Sequence, residues 1–398
     1  MKKRIVIPIG YVFIVIFIII SFFFIFVLTK QQIHQTIAQN KKTSPVVEML
    51  EPTSEKTTYA KLSPKQEPII VYLDSPAEHV PGEIVDIDAL SKPIETSITI
   101  SAVGDCTIGS DSNFGYTGSF YDYYDRNTPD YFFEGVLPVL GSDDYTIANL
   151  EGTFTSYNTP TNKQFRFKAP EKYADILKLG SIEGVNIANN HTRDYGETGY
   201  KDTIATLEEK NIDYYGNDNI IVKEIKGIKI GIAGFNEYAN TFDEKNTWNN
   251  IKSEIQKKLS KLEQMGADIK ILSFHWGQEG SYIPNETQTK IAHFSIDAGA
   301  DLVLGHHPHV LQKVEMYKDK TIVYSLGNFC FGGNKNPPDK DSMIFQTTYT
   351  FSDGNFNKAD YKIIPVSISS EKNKNNFKPT ILKGADKKRV LKKVSANM

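Results

Sequence analysis

Residues 301–309 read Asp301-Leu302-Val303-Leu304-Gly305-His306-His307-Pro308-His309. A short branched-aliphatic run punctuated by Gly and Pro predicts a buried strand, and it runs straight into three imidazoles. In α/β sheets, ligands bind at the carboxyl ends of strands, so this run places metal-capable or acid/base chemistry at a strand end. Four other runs end the same way. Ile98 to Val103 is followed by Gly104-Asp105, and Tyr145 to Ala148 by Asn149-Leu150-Glu151. Gly184 to Ala188 is followed by Asn189-Asn190-His191, and Ile269 to Phe274 by His275-Trp276-Gly277. Five of the eight histidines fall in these loops, a concentration that a surface scatter of histidines does not produce.

Each motif alone has an ordinary structural reading. Gly-Asp after a strand is usually a turn, and one histidine after a strand is usually a satisfied loop residue. His293, inside a predicted helix, is read as structural, and His306 either joins the ligand candidates or shapes their loop. The five strand ends taken together point to one site. Carboxylates, an amide oxygen and imidazoles in combination suit Mn, Fe or Zn better than a purely oxygen-loving ion. A two-metal site holds its ions roughly 3.5–4 Å apart and requires a bridging carboxylate.

The rest of the chain frames this domain. Strand-like runs alternate with helical patterns at about 170–180, 197–210, 249–265 and 285–299, an α/β texture. The last has a cap at Asn285 and a stop at Gly299. Ile5 to Leu28 is almost wholly apolar and follows Met1-Lys2-Lys3-Arg4. That is long enough to span a bilayer, and the basic flank sets the N-terminus in the cytoplasm. A buried core helix and cleavage after export are the competing readings. Residues 31–97 are Pro-rich and polar, the composition of an extracytoplasmic linker, with one short strand predicted at Ile69 to Leu73. Residues 371–398 carry nine Lys or Arg against two acids, a basic tail expected to be solvated or to touch anionic polymer. The net charge of −3 does not favour a nucleic-acid partner. Cys106 and Cys330 either pair outside the cell or are buried small residues.

In chain order, Gly104-Asp105, Asn149-Leu150-Glu151, Asn189-Asn190-His191, His275-Trp276-Gly277, Gly305 to His309 and Ser325-Leu326-Gly327-Asn328-Phe329 resemble the CapA-type poly-gamma-glutamate capsule proteins. These are similar in fold to calcineurin-like metallophosphatases. Phe167 to Pro170, Asp194-Tyr195-Gly196 and Asp297 to Asp301 extend the resemblance over about residues 98–335. It implies a four-layer αββα sandwich over about 98–370, preceded by one transmembrane helix within 1–30. It implies two divalent metals (Mn, Fe or Zn): Asp105 on the first, Glu151 bridging, Asn190, His275 and His307 on the second, and His309 back on the first. It gives His191 an acid or charge-stabilising role, with Asp194 orienting it, and turns Arg166 and Lys168 toward an anionic substrate. The implied partners are an anionic envelope polymer such as poly-gamma-glutamate, the membrane and a membrane-bound polymer synthesis complex. The chain departs from the phosphatase pattern at Thr107, where that superfamily often has His, and at Glu151, where it usually has Asp. These departures leave two readings: a polymer-binding assembly factor in capsule synthesis or export, or a metal-dependent hydrolase of phosphoester or amide bonds.

Overall fold

The computed structural model describes residues 93–236 and 247–395. In chain order these form β1 (Glu95–Thr107), β2 (Ser110–Asp111), α1 (Phe120–Arg126), α2 (Leu137–Leu140), β3 (Tyr145–Leu150), β4 (Thr153–Phe154), β5 (Phe167–Ala169), α3 (Ala174–Leu179), β6 (Gly184–Asn186), α4 (Gly196–Glu209), β7 (Asp213–Tyr215), β8 (Ile220–Ile225) and β9 (Ile228–Asn236). There follow α5 (Thr247–Gln264), β10 (Ile269–His275), α6 (Glu286–Asp297), β11 (Leu302–His306), β12 (Val314–Tyr317), β13 (Lys320–Val323), β14 (Asn328–Phe331), β15 (Asp341–Ser352), β16 (Asn355–Ser367), β17 (Thr380–Ile381) and α7 (Gly384–Ser395). One sheet has the order β17-β16-β15-β1-β3-β6-β7, with β14 also pairing β1, and a second has the order β12-β13-β11-β10-β9-β8. A small sheet, β2-β5-β4, completes the set.

Strand periodicity builds the layers. Ile98, Ile100 and Ala102 of β1 share one core with Ile230 and Ile232 of β9, Ile271 of β10, and Leu302 and Leu304 of β11. This is the apolar layer between the two sheets. The alternate residues Ala233, Leu272, Phe274 and Val303 point the other way, against Ile251, Ile255, Leu259 and Leu262 of α5 and Ile291 and Ile296 of α6. Side chains alternate faces along a strand, and apolar residues three to four apart share one helix face. Behind the first sheet, Val185, Ile176, Leu177 and Leu207 form a third core. The layers are therefore helix, sheet, sheet, helix. The parallel strands β10 and β11 are apolar on both faces because both faces are covered.

The predicted helices at 170–180, 197–210, 249–265 and 285–299 correspond to α3 to α6, and Asn285 closes a capping box with Gln288. β1 begins at Glu95, pairing with Ser352, a little before the domain start read from the sequence. The expected membrane segment and the short strand at Ile69 to Leu73 lie outside the described residues. Among the described residues no helix is long and apolar enough to cross a membrane.

One expectation changes, and the choice between a disulfide and buried cysteines is resolved. Over the described residues 371–395 the expected solvated end is folded: β17 pairs with β16, and Val390 and Val394 of α7 are buried in the layer between the sheets. Those valines, four apart, form an apolar stripe within a basic sequence, while Arg389 and Lys393 pair with Asp341 at 2.5 Å each. Cys106 and Cys330 are both free and fully buried. Burial pushes the Cys106 thiol up to about 12, so both stay protonated and unreactive.

Replacing Val394 by Asp removes about 1.5–3 kcal/mol of apolar burial and adds the cost of an unpaired carboxylate. The full-length protein in detergent is expected to melt several degrees lower. Lys392→Asp, on the exposed face of the same helix, should leave the melting temperature nearly unchanged. Equal effects in the two variants would mean that α7 is not docked.

Candidate metal centre

Two glycines allow the strands to bring their ends together. A Cβ on Gly104 would lie 2.0 Å from the Gly327 carbonyl oxygen, so only glycine lets β1 and the loop before β14 approach this closely. In return Asp105 N donates to Gly327 O at 2.9 Å. A Cβ on Gly305 would lie 2.0 Å from Tyr324 O and 2.6 Å from the indole nitrogen of Trp276. Beyond Gly305, His307 and His309 adopt φ of +93° and +57° on either side of Pro308. Positive φ is unfavourable for residues with a Cβ and clusters at functional sites. Their rings sit with centroids 5.7 Å apart, and the His275 and His307 rings 4.7 Å apart.

The polar atoms converge. Donor atoms of Asp105, Glu151 and His309 all lie within 4.8 Å of one another. His309 Nδ1 is 3.1 Å from Asp105 Oδ2. On the other side of Glu151, its Oε1 is 3.5 Å from His275 Nε2, which is 2.8 Å from Asn190 Oδ1. Asp105, Glu151, Asn190, His275, His307 and His309 are thus brought to one place. His306 Nδ1 reaches 3.4 Å from Asp105 Oδ1, behind the cluster. His293, by contrast, pairs with Glu315 at 2.8 Å and stacks on Tyr317.

Electrostatics describes a cage that wants positive charge. Asp105 and Glu151 are 0% and 1% exposed. Two like charges at the outer limit of this spacing repel by about 3–4 kcal/mol at an effective dielectric near 20. Burial, and then Asp105, push the Glu151 carboxyl above its usual range. Burial also works against the Asp105 carboxylate, but hydrogen bonds with His306 and His309 hold it well below its usual range. Burial opposes charge on His309 too, yet Glu151, Asp105 and Glu279 raise it to about 10. Burial and His309 lower His307 to about 4, and burial and His307 keep His275 neutral. Neutral imidazoles are the form that binds metal.

Sequence reasoning missed the asparagines that hold this cage. Asn149 Nδ2 donates to Asp105 Oδ1 at 2.8 Å and sits 3.3 Å from His275 Nδ1. Its Oδ1 accepts from Asn186 Nδ2 at 3.0 Å and Asn189 Nδ2 at 3.2 Å. Asn149 and Asn189 stand inside the quoted motifs, but only the fold shows that they bond one another. Glu279 was also missed; its carboxylate lies within 4.8 Å of ring nitrogens of His307 and His309.

His191 Nδ1 lies 2.7 Å from Asp194 Oδ2, and Asp194 also accepts from Phe167 N at 2.7 Å and Lys163 Nζ at 2.6 Å. Burial lowers the His191 imidazole despite the Asp194 carboxylate. Arg166 and Lys168 do not join the cluster. Phe167, between them, faces His191 with ring centroids 4.5 Å apart. Lys168, next along β5, therefore turns to the opposite side, since successive side chains alternate, while Arg166 precedes the strand with its backbone N–H on Asp111 Oδ2 at 2.7 Å. Lys168 Nζ is held by Tyr157 O at 2.8 Å and Asn158 Oδ1 at 2.6 Å, over the Tyr195 ring. Lys163 reaches the His191 side of the site by donating to Asp194. In front of the centre opens a groove of about 580 Å³, lined by Phe114, Phe165, Phe167, Phe331, His191 and Glu279 among others.

The donor set fits divalent cations. Glu151 Oε1 is buried and has no hydrogen-bond partner among the described residues, although most buried polar atoms find one. It lies between the Asp105–His309 side and the His275–Asn190 side.

Asn149→Ala would strip buried partners from Asp105, Asn186 and Asn189. An unsatisfied buried polar group costs about 1–3 kcal/mol, so chemical denaturation should show at least that loss. A change under about 0.5 kcal/mol would mean that the asparagine network does not organise the cage.

Residues 99–333 match the family model described as "Bacterial capsule synthesis protein PGA_cap". The chain is 29% identical over 317 residues to the "Capsule biosynthesis protein CapA" of Bacillus anthracis, covering 75% of this chain and 73% of that one. It is 32% identical over 216 residues to the "PGA biosynthesis protein CapA" of Bacillus subtilis, covering 51% of this chain and 57% of that one. Among solved structures, a hypothetical protein from Thermus thermophilus aligns with TM-score 0.40 and 13% identity, over 67% of this chain and 99% of that one. The match over residues 99–333 spans more than half of the 398-residue chain and contains every residue of the cage, so this protein belongs to the PGA_cap family of bacterial capsule synthesis proteins.

Proposed function

We propose that this protein acts in the synthesis or export of poly-gamma-glutamate, or of a related anionic envelope polymer, from the outer side of the cytoplasmic membrane. In this reading the apolar run from Ile5 to Leu28 is a single-pass anchor with its N-terminus inside, and the PGA_cap domain meets the polymer outside, beside a membrane-bound synthetic complex. The observation that carries the site's part is the convergence of Asp105, Glu151 and His309 within 4.8 Å, next to the Asn190–His275 pair. Asp105, Glu151 and His309 would hold a first divalent cation, and Glu151, Asn190, His275 and His307 a second, drawn from Mn, Fe or Zn. Such cations, when bound, neutralise substrate negative charge and activate water. The chain's own part is to place them at the floor of the groove and to exclude bulk water with the phenylalanine walls.

The polymer's chemistry suits that groove. Poly-gamma-glutamate alternates carboxylates with methylene stretches. The carboxylates seek the metals and Lys335 at the rim, and the methylenes pack on Phe114, Phe165, Phe167 and Phe331.

A second reading, hydrolysis of a phosphoester or amide bond in the polymer, is favoured by the His191–Asp194 pair. An imidazole oriented by a buried carboxylate, at the groove wall, is poised to protonate a leaving group. A role confined to polymer binding requires no such pair.

Full-length protein in detergent should retain divalent metal by elemental analysis and bind poly-gamma-glutamate, with binding lost on chelation. Glu151→Ala should lose both metal and polymer. If His191→Ala lowers a metal-dependent chain cleavage by about 10²–10⁴-fold, the hydrolase reading holds; binding without cleavage in the unsubstituted protein leaves the assembly role. A protein that binds no divalent metal would end both. Protease added to wall-free intact cells should digest the domain, and deleting residues 1–30 should release it from the membrane; protection in intact cells would reverse the orientation.

A further inference from the structure

We propose that Asn328 supplies the fourth protein donor of the first metal position, through its amide oxygen, in place of the histidine that Thr107 displaces. The inference rests on the metal-centre reading above and completes it, because Asp105, Glu151 and His309 alone give that position three protein ligands.

Three observations point to Asn328. First, β14 runs parallel to β1 with Asp105 and Asn328 directly paired in register. The close approach at Gly104 and Gly327 makes this possible, so the two side chains leave adjacent strands at the same level. Second, the amide faces the cage. Asn328 Oδ1 lies 2.9 Å from His309 Nδ1, and that nitrogen is 3.1 Å from Asp105 Oδ2. His309 Nδ1 therefore stands within hydrogen-bonding distance of both the Asn328 amide oxygen and an Asp105 carboxylate oxygen. Third, the orientation of the amide is fixed. Asn328 Nδ2 donates to His309 O at 3.1 Å, which turns the oxygen, not the NH₂, toward the His309 ring nitrogen. The side chain is 3% exposed and lines the inner wall of the groove, so it meets the centre from the side that substrate would approach.

Thr107 shows why a substitute is needed. Its Oγ1 donates to Glu151 Oε2 at 3.2 Å, so the side chain faces the cage but spends its oxygen on the bridging carboxylate. An amide oxygen in place of an imidazole leaves a harder, more weakly held position. The ion there should exchange more readily than its neighbour, the behaviour of a site that tightens when an anionic ligand adds its own oxygen.

The test is metal content and affinity of the full-length protein in detergent, measured by elemental analysis and by competition with a chromophoric chelator using Zn²⁺ or Mn²⁺ alone. The unsubstituted protein should bind two ions with unequal affinity. Asn328→Ala should keep the tighter ion and weaken the other at least tenfold, and Asn328→Asp should tighten that same ion. Thr107→His added to Asn328→Ala should restore the second ion, because position 107 faces the cage and a histidine there replaces the missing donor. Two ions bound with unchanged affinity in Asn328→Ala would overturn the proposal. So would loss of the ion that Thr107→His fails to restore, since Asn328 would then act only by orienting His309. No ion in the unsubstituted protein would refute the metal-centre reading itself, and a circular-dichroism spectrum unchanged in Asn328→Ala separates metal loss from misfolding.

Discussion

Two carboxylates, Asp105 and Glu151, are sealed from water within a few ångströms of each other, and everything around them answers that constraint. Mutual repulsion and lost hydration both act against the charged pair. The fold offsets this with imidazoles on two loops, and the two acids in turn raise His309 to about 10. Divalent cations, when bound, would supply the counter-charge, and burial keeps His275 and His307 in the neutral form that binds metal. The cage is thus shaped by electrostatics before any substrate is considered.

The second consequence concerns rigidity. A cage of like-charged groups opens unless its walls are braced. The bracing comes from amides: Asn149 touches Asp105, His275, Asn186 and Asn189 at once. Amides suit this work because they donate and accept without adding charge. A fully satisfied polar network fixes one geometry, whereas a partly satisfied one is costly. Behind it, β10 and β11 are apolar on both faces, so their ends cannot slip in register without exposing a core. The C-terminal helix contributes to the same end, since its two valines close the layer between the sheets and its cations tie down Asp339 and Asp341.

The site is asymmetric. On one side stand the metal-capable groups, and on the other the His191–Asp194 pair and phenylalanine walls. Lys163 joins the two by binding both Asp194 and the Asn190 carbonyl.

The sequence by itself determined the strand ends and the residue types on them. A run of aliphatic residues stopped by Gly, Asp, Asn or His is a local pattern, and local patterns are legible in one dimension. For the same reason the α3 to α6 helices, the cap at Asn285 and the structural character of His293 were readable. Other features rest on contacts between residues far apart in the chain. The direction of Lys168 depended on which face of β5 Phe167 claimed, and the docking of α7 on a gap between two distant sheets. The free thiols of Cys106 and Cys330 followed from burial in one apolar layer, and the meeting of Asn328 with Asp105 from two glycine backbones that touch 223 residues apart. Those features were decided only by tertiary structure, because a side chain's partner is set by packing across the core and not by its neighbours in sequence.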